Sequence, residues 1–153
     1  MAIEAPLSRY KRNSLKIYIV ACILGALWFG YDGYLSEKFI QQHTDEQGNP
    51  DSTLLFNRIS PPFFVGGVVL LTVYYYAVRG RKVVADDEAL VVAGKVKIPY
   101  DAIEKIDKTY YEKNGHFVVT YKNDNGREVH RKLSNRNYDN LKPILEHLIA
   151  QIT

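Results

Sequence analysis

The chain has 153 residues, about one domain's worth, and is 46% hydrophobic and 24% charged, which excludes a disordered or collagen-like polymer. A net charge of +3 is too small an excess to point to nucleic acid, and the single cysteine, Cys22, excludes an internal disulfide and a cysteine-rich zinc site. A mean hydropathy of -0.23 averages over two unlike halves.

Charge is distributed in blocks. Residues 1–16 carry Arg9, Lys11, Arg12 and Lys16 against Glu4, a local excess of +3. Residues 32–58 are acidic by 3 charges, and Arg79, Arg81 and Lys82 then restore +3. From residue 83 onward 11 basic and 11 acidic residues cancel. The basic and acidic blocks alternate around two apolar runs.

A basic segment, 1–14, precedes the first run, Leu15 to Leu35. This run has 21 residues and only two charges, Lys16 and Asp32, near its ends. As helix it is roughly 31 Å long, the thickness of a hydrocarbon core. It lacks a small-x-small cleavage site after its apolar centre and continues into Trp28, Phe29, Tyr31 and Tyr34, so it reads as a retained span with interfacial aromatics. Cys22, Ala26 and Gly30 recur every four positions on one helix face, with Ala21 and Gly25 as a second pair. Small faces let helix backbones approach closely. They serve either packing within a hairpin or docking onto another membrane protein.

The connection 36–59 is acidic. Ser36 to His43 is expected to continue the first helix, and Asp45 to Pro50 is turn chemistry. His43 and Asp45 have no further ligand at metal-binding spacing. The second run, Ser60 to Val78, has 19 uncharged residues, roughly 28 Å as helix. Pro61 and Pro62 are expected at its start, where their missing N–H groups cost little. Gly66 and Gly67 offer a close-approach site. Positive residues flank the outer ends of the pair, so the positive-inside rule predicts that both termini are cytoplasmic; the expected location is the inner (plasma) membrane, with the chain multi-pass.

From residue 82 the period becomes that of strands. Lys82–Ala85 and Ala89–Ala93 flank the turn Asp86-Asp87-Glu88, and Lys95–Ile98 alternates before Pro99-Tyr100-Asp101 breaks the strand. Ile103, Ile106 and Thr109-Tyr110-Tyr111 suggest a further strand. His116–Tyr121 and Glu128–Leu133 form a hairpin. A three-residue loop, Asp124-Asn125-Gly126 with Gly126 left-handed, sets Tyr121 opposite Val129, Val119 opposite Arg131 and Phe117 opposite Leu133, so that the apolar residues share a face. Tyr138, Leu141, Ile144, Leu145, Leu148, Ile149 and Ile152 form a helical stripe. Asn140 as N-cap leaves Pro143 harmless in the first turn.

The predicted architecture is a membrane helical hairpin, spans 15–35 and 60–78, followed by a small α+β domain over 82–153. That domain is an antiparallel curved sheet of about six strands capped by a helix. Val83-Val84-Ala85-Asp86, Ala89-Leu90-Val91-Val92, the stretch Lys97-Ile98-Pro99-Tyr100-Asp101-Ala102-Ile103-Glu104-Lys105-Ile106 and the closing helix resemble the bacterial pleckstrin-homology-like membrane proteins. The resemblance implies a pair of membrane helices ahead of a PH-like sheet-and-helix domain.

The sequence offers no Gly-rich phosphate loop, HExxH, cysteine pair or nucleophile elbow, and nothing that implies a cofactor or metal. The expected function is therefore a non-catalytic membrane-anchored interaction module, an accessory or scaffold subunit of a larger membrane assembly. Its partners are the bilayer and other membrane subunits. The alternative is a domain that senses lipid or another ligand at the cytoplasmic leaflet. Arg79, Arg81, Lys82, Arg127 and Arg131 are the candidate contacts for anionic lipid or an acidic partner. Cys22, Ala26, Gly30, Gly66 and Gly67 are the candidate helix-packing residues.

Overall fold

The computed structural model describes residues 2–152. The chain divides into two compact units, one formed by residues 1–12 with 78–153 and the other by residues 13–77.

The first unit contains two antiparallel sheets, ordered β1-β2-β3-β4 and β5-β6-β7. Strand β1 (Ile3–Pro6) pairs with β2 (Lys82–Ala85) from Ile3↔Ala85 to Pro6↔Lys82. Its Ala5 is completely buried, and Lys82 Nζ lies 2.5 Å from Glu4 Oε1 across the pair. Strand β2 turns into β3 (Ala89–Val92) through Asp86, whose carboxylate accepts the N–H groups of Glu88 at 2.9 Å and Ala89 at 2.7 Å. Those bonds hold the Asp86 carboxyl below the ordinary carboxylate value. Strand β4 (Val96–Pro99) completes the first sheet. A 3₁₀ turn, Tyr100–Ala102, then carries the chain to the second. There β5 (Ile103–Asp107) pairs with β6 (His116–Lys122), with an irregularity between Ile103 and Lys105, and β6 pairs with β7 (Glu128–Ser134).

One core serves both sheets. Val83, Ala85, Leu90, Val92 and Ile98 from the first meet Phe117, Val119, Tyr121 and Leu133 from the second, with Leu141, Ile144, Leu145 and Leu148 of α5 (Leu141–Ile152). Each large side chain removed from water contributes roughly 1.5–3 kcal/mol. The β6–β7 register is the expected one: Tyr121↔Val129, Val119↔Arg131 and Phe117↔Leu133. Gly126 has φ +71°, the left-handed conformation that the three-residue loop demands.

The second unit contains α1 (Arg9–Tyr34, which begins in the first unit), α2 (Glu37–Gln42) and α3 (Ser52–Val78). Ser8 caps α1, its Oγ accepting the Lys11 N–H at 3.0 Å, while the Asp139 carboxylate accepts the Arg9 N–H at 2.9 Å. Asp51 caps α3 by accepting the Leu54 N–H at 2.8 Å. As helices of 26 and 27 residues, α1 and α3 are each about 40 Å long.

Several expectations need correction. The six strands expected over 82–153 are present, but they are divided between two sheets instead of forming one curved sheet, and a seventh strand joins them among the described residues. The extra strand is the N-terminal segment, whose charges and Pro6 mask a short edge strand, and the break between sheets is the turn at Tyr100. Thr109–Tyr111 is no strand: Asp107 Oδ1 accepts the Thr109 N–H at 3.0 Å, and a helical turn, α4 (Tyr111–Asn114), ends at left-handed Gly115. Asn140 has φ +60°, which is not the extended backbone of an N-cap, although Pro143 does fall in the first turn of α5. Ile152 leaves the buried stripe and is exposed. Ser36 interrupts the first helix and caps α2 instead of continuing it. Pro61 and Pro62 lie inside α3, which starts at Ser52 because Asp51 caps it there.

Candidate functional site

Two proline side chains inside one helix leave two carbonyls without their N–H partners, those of Asn57 and Arg58, four residues back. The C-terminal end of α1 bonds to the second of these and packs against the first. Tyr34 Oη donates to the Arg58 carbonyl at 2.8 Å, and Arg58 Nε donates to the Gly33 carbonyl at 3.0 Å. Gly33 lies flush against the Asn57 carbonyl: a Cβ on Gly33 would sit 2.8 Å from that oxygen. Asn57 is buried, and so is the hydroxyl of Ser60, which has no hydrogen-bond partner. Away from water, carbonyls freed by proline are re-satisfied by groups such as the side chains of a neighbouring helix, as Tyr34 does here.

The rest of the interface is built from small and aromatic residues. A Cβ on Gly25 would meet the Phe64 ring at 3.0 Å. Phe29 stacks on Phe64 and meets Phe56 edge-on, both with centroids 5.5 Å apart. Of the packing residues read from the sequence, Gly67 lies under Cys22 Sγ and Gly30 touches the Pro61 ring. Ala26 is half-buried in α1, and Gly66 has no heavy atom within 4 Å of where its Cβ would be. The tightest approaches belong to Gly25 and Gly33. Gly33 was missed, although Gly25, Phe29 and Gly33 recur every four positions and mark one stripe.

Outside that interface the helices are bare. Only 6% of the most apolar stretch of α1 and 17% of that of α3 are buried, with Trp28 71%, Leu70 73% and Phe63 75% exposed. Both helices are long and apolar enough to cross a membrane. An apolar surface of this extent is covered by lipid or by protein.

The five candidate cations fall into two groups. Arg79, Arg81 and Lys82 lead from α3 into β2; Lys82 is paired with Glu4, Arg81 is half-buried, and its carbonyl accepts the Leu7 N–H at 3.0 Å. Arg127 is exposed in the β6–β7 loop. Arg131 is half-buried opposite Val119, in the second sheet. A groove of about 530 Å³ beside β4 is lined by Lys95, Lys97 and Lys122 but also by Asp101 and Asp124, and Lys122 is held by Glu104 at 2.6 Å. It is not a cradle of uncompensated positive charge.

His43 Nδ1 lies 2.7 Å from Asp51 Oδ2, and Asp45 accepts the Gln47 and Asn49 N–H groups, so neither residue aims at a shared ligand. Among the described residues no group of three His, Cys, Asp or Glu side chains could hold a metal ion. Near the β2–β3 loop, Tyr100 Oη donates to the Asp86 carbonyl at 2.6 Å, while His147 Nε2 lies 3.3 Å from the same oxygen. Burial first, then the charges of Asp86 and Asp87, push the Tyr100 phenol up to about 12, which keeps it a hydrogen-bond donor. This cluster ties α5 to the loop. No family model, curated protein or solved structure matches the chain.

Proposed function

We propose that the chain is a non-catalytic, membrane-anchored interaction module, an accessory or scaffold subunit of a larger membrane assembly, with a PH-like domain on the cytoplasmic side of the inner (plasma) membrane. The observation that carries this reading is the helix pair: one glycine- and phenylalanine-lined seam is packed, and the remaining surface, Trp28, Phe63 and Leu70 included, is exposed apolar area. The PH-like reading is supported by seven antiparallel strands in sheets of four and three around one core, with a C-terminal helix packed on it.

The β1–β2 pairing supports a shared side for the two termini. The residues entering α1 and those leaving α3 belong to one sheet-bearing unit, and Arg9, Lys11, Arg12, Arg79, Arg81 and Lys82 flank those two helix ends. The positive-inside rule assigns that side to the cytoplasm. Head-group sensing is the weaker alternative, because Lys82 is ion-paired and Arg131 half-buried.

The test is extraction of the chain, tagged and at native abundance, from its own membranes in mild detergent. Other membrane polypeptides in stoichiometric yield are expected. Reproducible recovery of this polypeptide alone overturns the accessory role.

A further inference from the structure

The outer edge of β7 carries an inference independent of the membrane anchor. The Asn123 N–H to Arg127 carbonyl bond at 2.9 Å and the Asn135 N–H to Gly115 carbonyl bond at 2.8 Å fix the hydrogen-bonding phase of the β6–β7 ladder. Bonded and non-bonded pairs alternate along an antiparallel ladder. Across the continuous register between those bonds, Phe117/Leu133, Val119/Arg131 and Tyr121/Val129 are the bonded pairs. Glu128, His130 and Lys132 therefore turn their N–H and C=O groups away from β6. Strand β7 ends the sheet, and among the described residues no backbone bond reaches those three outward pairs. Their side chains are all exposed. Such an edge is a template for an added strand.

The charge sequence on that edge selects the strand. Laid antiparallel against itself with His130 on a two-fold axis, β7 sets Glu128 of each copy opposite Lys132 of the other, and Val129 opposite Arg131. Opposite charges in directly facing positions stabilise a pair, and like charges weaken it. Moving the axis one residue to Val129 sets Arg127 against Arg131. Moving it to Arg131 sets that arginine against its own copy. The His130-centred register alone among these three pairs both acids with bases and opposes no two cations of lysine or arginine. Two-fold self-pairing is also the commonest closed symmetry.

We propose that β7 docks on β7 of a second copy in this register, joining two three-stranded sheets into one continuous sheet across a dimer. Residues facing each other in a bonded antiparallel pair have Cα atoms about 5.5 Å apart, within disulfide range. In a Cys22→Ser background of the full chain in mild detergent, His130→Cys is expected to form a disulfide-linked dimer on oxidation. Glu128→Cys and Lys132→Cys are expected to stay single when oxidised separately and to cross-link when mixed. In otherwise unaltered chain, Glu128→Lys is expected to weaken dimerisation about tenfold, as two attractive facing pairs become repulsive. Adding Lys132→Glu to it restores the affinity. A mass of one copy at every concentration overturns the proposal, and so does a dimer indifferent to Glu128→Lys, which uses another surface or leaves β7 to a different partner.

Discussion

Gly33 has no room for a methyl group, because the obstacle is the Asn57 backbone and not the end of a flexible side chain. Gly33→Ala is expected to cost about 1–3 kcal/mol of helix-pair stability, the range for overpacking. Gly25→Ala meets only the Phe64 ring and costs less, while Gly66→Ala enters open space and gains up to about 1 kcal/mol through better helix propensity. Thermal loss of the monodisperse detergent-solubilised species should rank the three in that order. Tyr34→Phe removes the donor to the carbonyl freed by Pro62 and is expected to cost about 1 kcal/mol in the same assay. Asp86 acts through charge. Its carboxyl is held below the ordinary carboxylate value by the Glu88 and Ala89 N–H groups. Its contribution is therefore fully present above the unfolded value and is lost as pH falls through the lowered native one. A thermal midpoint that drops less between pH 7 and strong acid in Asp86→Asn than in the parent checks this; equal drops refute it.

At the scale of elements, legibility depended on whether the period was long enough to read. The β6–β7 hairpin was legible to the residue, since only the three-residue loop keeps Phe117, Val119 and Tyr121 on one face with Val129 and Leu133. The α5 stripe was legible because its apolar positions recur at helical spacing over three turns. Strand β1 was not, because four residues including a glutamate and a proline carry no period, and its partner strand lies nearly eighty residues away. Its Ala5 is sealed in the core, so Ala5→Asp introduces an unpaired buried charge and is expected to destabilise the sheet unit by about 3 kcal/mol or more. A denaturant midpoint unchanged by Ala5→Asp would show that β1 is not part of the folded sheet. The prolines of α3 misled for a physical reason: a helix start is attractive for Pro61 and Pro62, but a carboxylate cap at Asp51 begins the helix earlier, and Tyr34 of α1 meets the Arg58 carbonyl that Pro62 frees.

At the scale of the whole molecule, the pairing of β1 with β2 bears on topology. If both helices cross the bilayer, the start of α1 and the end of α3 face the same side, since both run into one sheet-bearing unit. Protease added outside spheroplasts is expected to leave that unit intact and to digest it only after the membrane is opened. Digestion in sealed spheroplasts reverses the proposed orientation. By itself, the sequence determined the two long apolar helices, the register of the β6–β7 hairpin and the closing helix, because each follows from a local period of hydrophobicity or from a turn's backbone demands. Only the tertiary structure decided that the N-terminus is a strand, that the strands divide into two sheets, and that Tyr34 meets a carbonyl freed by the prolines of α3 while Gly33 packs against the backbone beside it. Those features depend on which distant backbone groups are left unpaired and which neighbour reaches them, and no window of sequence contains both partners.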